Sequence, residues 1–100
     1  MDKTAEDLKE RTKRFAIAVL DYVDTLSRTP SGESIARQLA RACLGIVGNY
    51  RGACRGRSHA EFTAKLGVVL EEADEAELWL DVAHSRKMGD QKQCQCARQR

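Results

Sequence analysis

An all-α protein is what this sequence predicts, and three observations predict it. Apolar residues recur in alternating steps of four and three along three long stretches, the spacing that lays a stripe along one helix face. The helix formers Ala, Leu, Arg, Lys, Glu and Gln dominate the composition. Pro30 is the single proline, and no run of β-branched residues alternates as a strand would. The expected architecture is an antiparallel up-down bundle of three long helices plus a short or degraded fourth. Residues 1–89 form the bundle in this reading, and 90–100 a polar tail or truncated helix.

The first helix is expected from Asp2 or Ala5 to about Arg28. Thr4-Ala5-Glu6-Asp7 resembles a capping box with Asp in the last place. Leu8, Phe15, Val19, Tyr22 and Leu26, with Thr12 filling one step, make the seam, and Ala16, Leu20 and Val23 widen it. Pro30 cannot continue this helix and Gly32 loosens the turn, so Ser31 or Ser34 is the expected cap of the next.

The second helix is expected from about Glu33 to Arg55. It carries two apolar seams, one through Ile35, Leu39, Ala42, Ile46 and Ala53, the other through Ala36, Ala40, Cys43, Val47, Tyr50 and Cys54. A helix with two seams is buried on two sides. Gly45, Gly48, Gly52 and Gly56 run along it, which suggests tight packing more than approach to a ligand.

Ser58-His59-Ala60-Glu61 is a capping box and starts the third helix. Phe62, Leu66, Val69, Ala73, Ala76, Leu80 and Ala83 follow at helical spacing, with Leu70 and Trp79 extending the face. Gly89 is the expected left-handed residue after its end. Beyond it, four glutamines leave only Cys94, Cys96 and Ala97 on the apolar side. That segment is not expected to supply a fourth amphipathic face.

Composition narrows the function. With 42% apolar and 32% charged residues the chain is in the globular range, which argues against disorder over most of its length. One hundred residues make one domain with a modest core, which a partner subunit often completes. No apolar run approaches the ~20 residues of a membrane span. The charged start lacks a signal-peptide core, so a cytoplasmic site is expected. The four cysteines then read as reduced thiols, and Cys94-Gln95-Cys96 lacks zinc-site spacing.

The net charge is only +2, but its distribution is uneven. Arg37, Arg41, Arg51, Arg55, Arg57 and Lys65 fall in one segment with a single acid, Glu61. Arg37, Arg41, Arg51 and Arg55 share one helical face with Leu44 and Gly48. Two readings of that face stay open. It is a phosphate-binding stripe for RNA, or it makes salt bridges within or between subunits. Arg37 and Arg41 are the better placed to pair with Glu71, Glu72, Asp74 and Glu75 on the antiparallel third helix.

Those acids share a face, but His59 and His84 do not stand in the Glu-x-x-His order of a di-iron bundle, so they read as a solvated or intersubunit surface rather than a metal site. No phosphate loop, nucleophile elbow or His-Glu-x-x-His motif occurs. Ser58 beside His59 is occupied as a helix cap. Asn49 and Tyr50 read as hydrogen-bonding residues that fix helix register. Neither enzyme chemistry nor a cofactor, metal or small-molecule substrate is implied.

The run NYRGACRGRSHAEFTAKLGVVLEEADEAELWL, from Asn49 to Leu80, resembles the signature of the four-helix-bundle family named after open reading frames in 23S ribosomal RNA intervening sequences. The matching positions are Asn49, Tyr50, Arg51, Ala53, Cys54, Arg55, Arg57 and Ser58, then Glu61, Phe62, Lys65, Leu66 and Gly67, then Glu71, Glu72, Ala73, Asp74, Glu75, Trp79 and Leu80. The resemblance spans about residues 8–85. It implies a left-handed antiparallel bundle that assembles into a homopentameric ring, in a family whose biochemical role is largely unassigned. The family is similar in fold to the accessory proteins of diversity-generating retroelements, whose basic surface engages RNA. The chain departs from the pattern at Gly52, at Gly56 and at its polar C-terminus, where the family has an apolar fourth helix. Losing four or five core side chains forfeits a gross ~6–15 kcal/mol and implies an exposed apolar stripe: the tail docks poorly, a neighbour covers the gap, or the chain is an altered product of its gene.

Overall fold

The computed structural model describes residues 3–99. Among these residues the chain forms four α-helices: α1 Lys3–Val23, α2 Pro30–Cys54, α3 His59–Ser85 and α4 Gln91–Arg98. The all-α up-down bundle is the observed fold. α2 packs against both α1 and α3, α4 packs against α1 and α3, and the backbones of α1 and α3 make no close approach. α4 therefore stands diagonally across from α2.

The ends of the elements follow local chemistry, with several corrections to the sequence reading. Thr4 lies inside α1 and caps nothing, and Asp2 is outside the described residues. α1 stops at Val23, five residues short of Arg28, in a turn where the Thr25 hydroxyl donates to the Tyr22 carbonyl at 2.6 Å. The cap of α2 is Thr29, not Ser31 or Ser34. Its Oγ1 accepts from the Gly32 amide at 3.1 Å, and Pro30 occupies the first helical position, where its missing N–H costs nothing. Gly32 is needed there, because a Cβ would strike the Ser27 carbonyl.

Ser58 caps α3 as its motif predicts, accepting from the Glu61 amide at 3.1 Å. At the far end the residue that closes the helix is Lys87, left-handed with φ 54°, while Gly89 is left-handed as expected, with φ 65°, but stands two residues further on. The Met88 amide donates to the Ala83 carbonyl and the Lys87 amide to the His84 carbonyl, both at 2.9 Å, which closes a Schellman motif.

The segment after Gly89 forms the short fourth helix that was one of its two readings, but, contrary to expectation, it buries one face. Asp90 caps it through the Gln93 amide at 3.1 Å, and Cys94 and Ala97 are buried on its inner face. Small residues three apart suffice because α4 lies close against α1 and α3. It is nevertheless short: its eight residues reach about 12 Å, against about 40 Å for the 27 of α3.

The core divides accordingly. At the end that α4 covers, Val19, Tyr22, Leu39, Cys43, Leu80 and Cys94 pack together from all four helices. At the other end Ala42, Ile46, Tyr50, Val69 and Ala76 pack between α2 and α3, with Phe15 of α1 against them. No fourth helix closes that second cluster among the described residues.

Candidate interaction surface

The outward face of α2 is where the arginines meet. Arg37, Arg41, Leu44, Gly48, Arg51 and Arg55 follow in alternating steps of four and three, and every one is exposed. The line lies opposite the core face made by Leu39, Ala42, Ile46 and Ala53. From Arg37 to Arg55 it runs about 27 Å. Its centre is apolar and flat: Leu44 is 53% exposed, and a Cβ at Gly48 would meet nothing within 4 Å.

None of Arg37, Arg41, Arg51, Arg55 and Arg57 forms an ion pair or side-chain hydrogen bond with another described residue. The ion pairs among the described residues join Lys9 to Glu6, Arg14 to Glu10 and Arg98 to Asp81. The expected pairing of Arg37 or Arg41 with the α3 acids within one chain is therefore not made. Arg57 sits exposed in the α2–α3 connection, past the end of the line. Lys65 leaves the group altogether and lies half-buried beside Gly52, its Cδ 3.2 Å from where a Cβ would stand.

The α3 acids divide in the same way. The Glu72 carboxylate lies over Gly45, with its Cδ 3.0 Å from a Cβ built there. Gly45 with Glu72 and Gly52 with Lys65 repeat seven residues apart in opposite directions, which fixes the antiparallel register of the two helices. Two of the four glycines thus make room for α3 side chains, as the tight-packing reading expects, while Gly48 faces solvent. Glu71, Asp74 and Glu75 are exposed. Among the described residues no three His, Cys, Asp or Glu side chains converge as a metal-binding group.

The remaining candidate residues are structural in their surroundings. The Asn49 amide donates to the Gly45 carbonyl one turn back at 2.9 Å, and Tyr50 is buried in the second cluster. Trp79 packs against the first cluster with its indole N–H buried and without a hydrogen-bond partner. Cys43 is fully buried, and burial pushes its thiol up to about 11. Burial likewise raises Cys94, which touches the Tyr22 hydroxyl, and raises Tyr22 itself. These groups stay protonated and act as core residues.

The short α4 leaves a groove where the sequence implies an uncovered apolar stripe. An open space of about 1040 Å³ continues past Ala97, floored by Phe15, Ile46 and Val69. Leu8 and Arg11 line its α1 side, and Asp74, Glu77 and Leu78 its α3 side. The signal for it was the break in apolar spacing after Gly89.

No protein-family model matches the chain, and no curated protein matches it either. Its fold is shared with a solved structure from Bacteroides thetaiotaomicron, described as a protein of unknown function from the S23 ribosomal protein family. The two superpose with a TM-score of 0.83 over 95% of this chain and 85% of that one, at 24% sequence identity. At that identity the likeness establishes the four-helix fold. No helix among the described residues is long and apolar enough to cross a membrane.

Proposed function

We propose that this protein is a non-enzymatic, self-assembling helical-bundle scaffold of the 23S ribosomal RNA intervening-sequence family. The Asn49–Leu80 signature supports the family, and the fold it shares with an S23-family protein agrees with that. The observation that carries the functional reading is the outward line of α2. Two arginine pairs flank an exposed leucine and an open glycine, and no described residue pairs with them. A desolvated apolar centre with a charged rim is the anatomy of a protein contact. The family resemblance points to a homopentameric ring as the form of the assembly.

Light scattering on the eluting protein tests this. The expected mass is near five times the 11.2 kDa chain. A monomer at micromolar concentration overturns the reading.

A second reading has its own observation. Unpaired arginines spaced along one exposed helix also suit the phosphates of RNA, and such binding weakens steeply with salt. If RNA is the partner, the protein elutes with a raised ratio of absorbance at 260 to 280 nm. Arg51→Glu together with Arg55→Glu then abolishes RNA retention and leaves the mass unchanged.

A further inference from the structure

The outer face of α3 carries a second exposed line that complements the α2 line. Glu71, Asp74, Leu78 and Asp81 are all exposed, and Leu78 is 51% exposed. This line is acidic with an apolar centre, as the α2 line is basic with an apolar centre. Along α2 the central positions Arg41, Leu44, Gly48 and Arg51 step by three, four and three. Read backwards along α3, the positions Asp81, Leu78, Asp74 and Glu71 step by three, four and three as well. Laid antiparallel, the two lines set Arg41 against Asp81, Leu44 against Leu78 and Arg51 against Glu71. Asp74 then falls opposite Gly48, where the absence of a side chain leaves room. In the parallel arrangement Leu44 would meet the Asp74 carboxylate, which would cost the desolvation of a charge against an alkyl group.

The α2 line is the outward ridge of its helix and the α3 line runs along the exposed rim of the groove beside α4, so the two cannot meet within one chain. They can meet between copies. Resting on the self-assembly reading above, we infer that α2 of one copy docks antiparallel on α3 of the next, with Leu44 on Leu78 between Arg41–Asp81 and Arg51–Glu71 ion pairs. The contact is head-to-tail, since it uses a different face on each side of the protomer. Repetition of such a contact closes into a ring when the rotation closes. Rotation about an axis along the bundle preserves every helix direction. Neighbouring α2 and α3 are then antiparallel, the direction in which the two lines match. The ion pairs set register and partner choice more than affinity, and Arg98, which pairs with Asp81 at 3.4 Å, leaves that carboxylate a second oxygen for Arg41. The same contact accounts for the arginines that no described residue of their own chain neutralises.

A charge-swap experiment on the full chain tests the inference. Sedimentation velocity at low salt is run on the wild type, Arg51→Glu, Glu71→Arg and the double variant, with far-UV circular dichroism confirming the fold of each exposed-site change. The expected result is at least a tenfold weaker self-association for each single variant and recovery in the double variant. An oligomeric wild type with both single variants unaffected overturns this interface and leaves self-assembly standing. Loss without recovery in the double variant overturns the Arg51–Glu71 pairing. A monomeric wild type overturns both the interface and the reading beneath it. If Arg51→Glu abolishes RNA retention without changing the mass, the α2 line belongs to RNA and the inference falls.

Discussion

The hydroxyl of Tyr22 donates to the carbonyl of Met88 at 2.8 Å, across 66 residues of sequence. Tyr22 stands on the last turn of α1, and Met88 in the turn between α3 and α4. A second bond runs beside it, from the Asp90 amide to the Thr25 hydroxyl at 2.9 Å. The two bonds tie the end of α1 to the start of α4. They hold an eight-residue helix that is too short to be stable alone.

Removing the Tyr22 hydroxyl weakens that tie. Tyr22→Phe is expected to lower stability by about 1 kcal/mol, because the Met88 carbonyl keeps its bond from the Gln91 side chain. Hydrogen exchange should speed up in residues 91–98 before it does so in α2 or α3. Uniform loss of protection along the chain would contradict the role of the tie.

The turn makes the same left-handed demand at two nearby positions, filled by glycine at only one. Gly89 has φ 65°, and a Cβ there would stand 2.7 Å from the Thr25 hydroxyl and 2.9 Å from a Leu26 methyl. Gly89→Ala should therefore destabilise by more than ~1 kcal/mol. Lys87, exposed at φ 54°, is the reverse case. Lys87→Gly should stabilise by about 0.5–1 kcal/mol by relieving a left-handed side chain. Urea denaturation of the two variants reads both signs.

Gly48 separates the fold from its assembly. It lies inside α2 with open space around it, so Gly48→Ala should stabilise the fold by about 1 kcal/mol. If a neighbouring helix approaches at Gly48, the same change weakens self-association. A thermal melt and a light-scattering dilution series distinguish the two effects.

Stability should also decline in alkali. The Cys43 thiol is raised from 9.0 to about 11 by burial. Below pH 9 it is protonated in both the folded and unfolded chain, and its contribution to stability is fully present. Between pH 9 and 11 the unfolded chain releases the proton and the folded chain keeps it, so stability falls. Cys94 and Tyr22 shift in the same direction. The melting temperature should be level up to about pH 9 and drop above it, and Cys43→Ala should reduce the drop.

Much of this protein was set by local sequence. The three long helices follow from apolar residues in steps of four and three, because that spacing has one geometric solution. The start of α3 follows from Ser58 and Glu61, since a cap is a bond over three residues. The outward arginine line was legible as well, because the apolar seams of α2 claim its other faces and leave Arg37, Arg41, Arg51 and Arg55 to solvent.

Tertiary structure decided the rest. Leu26 continues the pattern of α1, yet the helix ends at Val23, where Tyr22 and Thr25 meet a turn more than sixty residues away in sequence. α4 forms although its sequence is polar, because Cys94 and Ala97 find a surface already built by α1 and α3. Lys65 and Glu72 leave the charged sets to which sequence assigns them, because Gly52 and Gly45 open space for their stems. In each case the deciding interaction joins residues distant along the chain, and periodicity registers only neighbours three and four residues apart.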